Sequence, residues 1–223
     1  VGMAASIRGA DDPSSTRMRQ RIETFAEDLG ALGRFFNFDL ASNRAQRLEA
    51  FFRDTRRALD EVDYEALGPD ERIDFALFDA HLEERLAQLE YDRARLDAVR
   101  DWIPFLDTVE GLVTARQRIE PIEGREAAET LDALTESVEA TLERARGVET
   151  AALNAVLANR VAAYVSEMDR ALDEWGIFYT DYDPEFTWWT QSPLDALRGA
   201  LREYREFLRR EWAGYVDGED APL

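Results

Sequence analysis

The sequence predicts an all-α protein, an elongated multi-helix bundle of about six or seven helices with antiparallel helical hairpins and no sheet. Three observations carry that expectation. Apolar residues recur every three or four positions along most of the chain, the spacing that gathers them on one helix face. Start and stop signals bracket those runs, with Pro or a short polar residue ahead and Gly behind. Neither the alternation of a strand, nor a repeat of fixed period, nor a strict heptad sustained over several turns interrupts them. With 223 residues, 45% of them hydrophobic, the chain can fill a sizeable core. One helical domain over 1–223 is expected, its best internal break near 117–124.

The elements follow in order. Asp12 and Pro13 mark the first start, Pro13 at the first helical position, where a missing N–H costs nothing. Met18, Ile22, Phe25 and Leu29 form its stripe to about residue 32, where Gly30 and Gly33 loosen it. Phe35, Phe36 and Phe38 are expected to anchor the next connection to the core, and Ser42 to cap the second helix. From 43 to 62, Leu48, Phe51, Phe52, Thr55, Leu59 and Val62 share a face, with Arg44, Arg47, Arg53 and Arg57 opposite. Pro69, Asp70 and Glu71 start a third helix that carries two apolar stripes. One is Ile73, Leu77 and Ala80, the other Phe75, Phe78, Leu82, Leu86 and Leu89, which predicts a central helix with contacts on two sides.

Pro104 ends or kinks that helix near Arg100, since a residue before Pro leaves the α region. A shorter helix is expected over 104–116, then the loop R-I-E-P-I-E-G. Glu126 and Glu129 open the next helix and Arg144 and Arg146 close it, the charge order the macrodipole favours. Thr150 is expected to cap a helix whose stripe of Leu153, Leu157, Val161, Tyr164, Met168, Leu172 and Trp175 stops at Gly176, paired with its predecessor as a hairpin. Ser192 and Pro193 are expected to start the last helix, with Leu194, Leu197, Leu201, Tyr204, Leu208 and Trp212 inward.

Composition narrows function. All 27 basic residues are Arg, and against 47 acids the net charge is 27 − 47 = −20. That charge opposes nucleic acid and anionic membrane, which need a cationic face, and no apolar run reaches the ~20 residues of a membrane span. The absence of Cys removes thiol nucleophiles and thiolate metal sites; the absence of Lys removes Schiff bases and a P-loop. One imidazole remains, His81 in D-A-H-L-E-E-R. A zinc-peptidase helix needs H-E-x-x-H, whereas Leu82 and Arg85 follow here, so His81 is read as structural or superficial and no catalytic or metal residue is assigned. Carboxylate pairs such as Glu83 with Glu84, or Asp181 with Asp183, are too common in this composition to stand out.

The stretch 179–193, Y-T-D-Y-D-P-E-F-T-W-W-T-Q-S-P, is read as a non-helical segment dense in rings. Its Tyr182, Asp183, Trp188 and Trp189 are the candidate cleft or partner-contact residues. The competing reading is a packed loop that staples the last two helices together.

Two stretches resemble a bacterial family, the domain-of-unknown-function family 885. The first, 59–89, contains L-G-P-D-E-R-I-D-F, similar to the family's entry into a long helix. The second, 182–214, contains Y-D-P-E-F-T-W-W, Ser192-Pro193 and Y-R-E-F-L-R-R-E-W-A-G. The resemblance implies the N-terminal helical part of a zinc metallopeptidase of the H-E-x-x-H type, inactive alone and forming part of the scaffold or wall of a peptide cleft. It implies zinc for the full-length family member, none in this chain, and a C-terminal catalytic region or separate catalytic chain as partner. A stand-alone helical partner-binding or scaffold protein is the alternative.

Overall fold

A computed structural model describes residues 15–148, 151–180 and 184–214. Among them are seven α-helices and no strand: α1 (Ser15–Phe35), α2 (Ser42–Asp60), α3 (Pro69–Asp97), α4 (Leu106–Gln117), α5 (Gly124–Arg146), α6 (Ala155–Thr180) and α7 (Pro184–Phe207). Two 3-10 turns, Tyr64–Ala66 and Arg100–Trp102, and a π turn, Leu208–Trp212, complete them. The all-α bundle expected from the sequence is present. The chain divides into two compact units, Val1–Asn37 with Ala45–Asp92, and Phe38–Arg44 with Arg93–Leu223. The expected break at 117–124 lies within the second unit, and the two boundaries next to 44 and 92 fall inside α2 and α3.

In the first unit Met18, Phe25, Leu48, Phe52, Leu59, Phe78 and Leu82 form one buried cluster. Phe25 stacks on Phe51 at 5.2 Å and meets Phe78 edge-on at 5.1 Å, the offset and T-shaped contacts that aromatic quadrupoles favour. Arg56 ties α2 to α3 through Asp79, at 2.8 Å, and Glu83. At the start of α3, Glu71 reaches back to accept from the Gly68 N–H at 3.4 Å, half of a capping box, and is buried. Two expectations need correction. α1 runs through Gly30 and Gly33 to Phe35, because its buried stripe outweighs two weak helix formers, and Phe35 is exposed rather than anchored. α3 buries only one of its two stripes: Phe78 and Leu82 are covered, while Ile73, Leu77 and Ala80 remain exposed.

The second unit is built on Trp175, Tyr204, Phe38, Ile103, Leu106, Leu131, Met168, Leu172 and Leu197, all fully buried. The face expected of α5, Leu131, Leu134, Val138, Leu142 and Ala145, is its buried edge. α7 is the chief neighbour of both α5 and α6. Along α6 the contacts Trp175–Phe186, Gly176–Leu194 and Asp169–Arg198 run in opposite senses, so α6 and α7 form an antiparallel hairpin. The hairpin expected from α5 and α6 is therefore replaced by one from α6 and α7, with α5 packed against α7 as well. Tyr204 Oη donates to the Trp102 carbonyl at 2.8 Å, and Arg144 lies over the Trp102 ring.

Caps differ from expectation where a better acceptor was at hand. Ser42 donates its hydroxyl to Glu110 Oε1 at 2.7 Å, and that same oxygen accepts from the Asn43 N–H at 3.1 Å, so a carboxylate from α4 satisfies the start of α2. Asn154 Oδ1 accepts from the Leu157 N–H at 2.9 Å and caps α6. Asp12, Pro13 and Thr150 lie outside the described residues.

The largest correction concerns α6 and α7. Gly176 does not stop α6, which continues to Thr180; a Cβ on it would stand 2.5 Å from Leu194 Cδ2, so this glycine admits the α7 side chain. α7 begins at Pro184, not at Ser192, and Pro193 sits inside it. The ring-dense stretch is thus helical over most of its length. Phe186, Thr190, Leu197, Leu201 and Tyr204 form one continuous buried face across Pro193, and that burial outweighs the single i→i−4 bond that proline removes.

Candidate functional site

Four helix ends meet at one end of the second unit. The start of α5 lies so close to α7 that a Cβ on Gly124 would stand 3.0 Å from Phe186 Cα and 3.3 Å from Trp189 Cδ1. The last turns of α6 arrive at the same place, with the Tyr179 ring 4.8 Å and the Trp175 ring 5.5 Å from Phe186. The connection from α4 to α5 closes the group. Burial pushes the Tyr179 hydroxyl above the ordinary tyrosine range, with Arg116 near enough to oppose that rise and Glu120 to add to it.

α4 ends in a Schellman motif: the Glu120 N–H donates to the Ala115 carbonyl at 2.9 Å and the Ile119 N–H to that of Arg116 at 3.0 Å. The motif demands a left-handed residue, normally Gly, and here it is Ile119 at φ 54°. Placing an L-residue there costs about 1–2 kcal/mol, and β-branching aggravates it. The side chain held in that conformation is 78% exposed.

Other large apolar residues are exposed at this end of the unit. Trp188 is 74% exposed and Trp189 36%, their rings in a T-shaped pair at 4.7 Å, and Ile177 and Phe178 on α6 are exposed as well. Beneath them Trp175 Nε1 and Tyr179 Oη are buried with no hydrogen-bond partner among the described residues. Large exposed rings suit the binding of polypeptide, whose apolar side chains they can cover. Two grooves among the described residues lie elsewhere. One of about 480 Å³ in the first unit is floored by Phe25, Phe51, Leu59 and Phe78, and one of about 460 Å³ in the second is lined by Phe105, Glu126, Glu129 and Leu134.

Of the four residues singled out from sequence, Trp188 and Trp189 fall in this patch, on a helix rather than a loop; Tyr182 and Asp183 lie outside the described residues. Ile119, Ile177 and Phe178 escaped the sequence reading. The signal for Ile119 was a β-branched residue stranded in a charged run before Pro121, and for the other two, apolar residues past a glycine taken as a stop. His81 sits in the other unit, exposed, its ring edge-on to Phe25 at 6.1 Å. The residues present do not fit a zinc site: Leu82 and Arg85 stand where a base and a second imidazole would be needed. Among the described residues no group of three His, Asp or Glu side chains converges to hold a metal.

Fold and site together define an all-α protein with an exposed aromatic patch where four of its helices end. Set against protein-family models, curated proteins and solved structures, the chain matches none.

Proposed function

We propose that this chain is a non-catalytic helical region that docks another polypeptide through the aromatic end of its second unit. The observation that carries this is Ile119, an exposed β-branched side chain held in a left-handed conformation at the same end of the second unit as the exposed Trp188, Trp189 and Phe178. Folding alone would favour glycine at that position and polar residues at the others, and strain of this kind gathers at binding sites. The resemblance of 59–89 and 182–214 to family 885 suggests the partner: polypeptide bearing an H-E-x-x-H zinc site, for which this region serves as scaffold or cleft wall. The zinc would be held entirely by that polypeptide.

The test is the source protein itself, purified with its metal content and intact mass determined and set beside its coding sequence. The expected result is an H-E-x-x-H sequence and bound zinc, in the same polypeptide or in a companion at fixed stoichiometry. Supplied as a separate chain, the catalytic part should bind the Trp188→Ala, Trp189→Ala double variant about tenfold more weakly, with helical circular dichroism unchanged. A source without such a motif would remove the peptidase link. Undiminished binding by the double variant would remove the docking site.

A further inference from the structure

The first unit leaves a second apolar surface open. On α3, Ile73, Leu77, Ala80, Glu84, Ala87 and Tyr91 follow one another at spacings of four and three, the a/d register of a coiled coil. All six are exposed, Ile73 at 58%, Leu77 at 66% and Tyr91 at 57%, while the opposite side of the same helix carries the buried Phe78 and Leu82. Only Glu84 interrupts the apolar row, which is why the heptad does not announce itself in the sequence.

We infer that this row docks a single amphipathic helix of a partner polypeptide, with its apolar seam against Ile73, Leu77, Ala80 and Ala87 and an Arg or Lys opposite Glu84. Charge selects that occupant. Asp74, Glu84 and Glu90 flank or lie in the row, and no hydrogen bond or ion pair engages them among the described residues. The nearby cations are already committed: Arg56 to Asp79 and Glu83, Arg72 to Glu65 and the Tyr64 ring, and Arg85 lies over the Phe52 ring. A second copy of this chain fits poorly. Parallel pairing would set Glu84 against its own image inside the seam, and either direction of pairing would bring together chains of net charge −20. A helix with cations at these positions replaces each repulsion by an attraction. The alanines at 80 and 87 let its backbone come close. The row lies in the other compact unit from the aromatic patch, so the inference stands apart from the function proposed above.

Two designed helical peptides test it on the full chain. Both carry Leu or Ile at the seam; one has Arg and the other Glu at the position opposite Glu84 and at those facing Asp74 and Glu90. Titration followed by anisotropy should show the Arg peptide binding about tenfold more tightly than the Glu peptide. Glu84→Arg should shrink or reverse that preference, and Leu77→Ser should weaken the Arg peptide about tenfold, while Trp188→Ala leaves it unchanged. Circular dichroism confirms that these exposed substitutions fold. Equal binding of the two peptides, no binding of either, or a preference untouched by Glu84→Arg overturns the inference. So does sedimentation showing a dimer of this chain that Leu77→Ser dissolves, which would make a second copy the occupant.

Discussion

Tyr204 and Ile119 show two opposite uses of a single residue. Tyr204 is wholly buried, and its hydroxyl donates to the Trp102 carbonyl at 2.8 Å, joining α7 to the turn ahead of α4. Tyr204→Phe keeps the ring and removes the donor, so it should cost about 1 kcal/mol in a urea titration at neutral pH. Burial raises the hydroxyl's pKa above the ordinary tyrosine value, with Arg144 opposing more weakly. The folded state therefore holds this proton more tightly than the unfolded one. That contribution is complete below the unfolded pKa of about 10 and is lost as pH climbs from there toward the folded value. Alkali should thus destabilise the native chain more than the Phe variant, and the difference between them should narrow between about pH 9 and 11. An unchanged difference would mean that Tyr204 ionises freely in the fold. Ile119 contributes the other way. Ile119→Gly relieves the left-handed strain and should stabilise the second unit by about 1 kcal/mol, read as a higher thermal midpoint, while weakening partner docking. A variant less stable than the native chain would show that Ile119 packs inward, against its exposure.

Helix boundaries were the elements least legible in the sequence, and glycine and proline explain why. The start at Pro69, the opening of α5 two residues ahead of the expected Glu126, and the buried face of α5 follow from local signals, because there the punctuation and the apolar period agree. At Gly176 and Pro193 they conflict. The local rule ends one helix and starts the next, but tertiary packing carries both helices through, one because Leu194 needs the space, the other because Phe186 and Thr190 extend the buried face. A period extended backward past Pro193 would have revealed this, since 186, 190, 197, 201 and 204 keep helical spacing. The same misreading hid half the site, for it turned exposed rings on a rigid helix into rings in a loop. Gly124 gives the element-scale prediction. Its Cβ would press on the backbone of α7, not on a side chain that can swing away, so Gly124→Ala should cost about 1–3 kcal/mol despite alanine's better helix propensity. Hydrogen exchange should show the loss in the first turns of α5 and α7. Protection there equal to the native chain's would mean that the two helices can part without penalty.

For the molecule as a whole, the fold class was readable because helical periodicity runs through nearly every segment, whereas the division into two units was not. That division depends on which buried stripes meet, and Phe35, Phe36 and Phe38, three rings in four residues, belong partly to one unit and partly to the other. The two stripes of α3 were read correctly as apolar but given two partners where the described fold supplies one. Charge is the remaining property of the whole chain. Its ion pairs, such as Arg146–Glu203 and Arg125–Glu129, are mostly exposed and individually weak, acting over contact distances that salt weakens only modestly. The excess of 20 acids repels over longer distances. There the screening length falls from about 30 Å at 0.01 M salt to about 8 Å at 0.15 M, and the compact state suffers more than the extended one. Long-range repulsion should therefore dominate the salt response, and the urea midpoint should rise from 0.01 M to 0.15 M sodium chloride, at roughly those ionic strengths, then level off. Replacing four exposed acids that lack ion pairs, Glu84 and Glu90 among them, by Gln should raise the low-salt midpoint and flatten the dependence. A midpoint that falls with salt would assign the net effect of charge to the local pairs, and the acidity of this chain would then be a source of stability instead of a load on it.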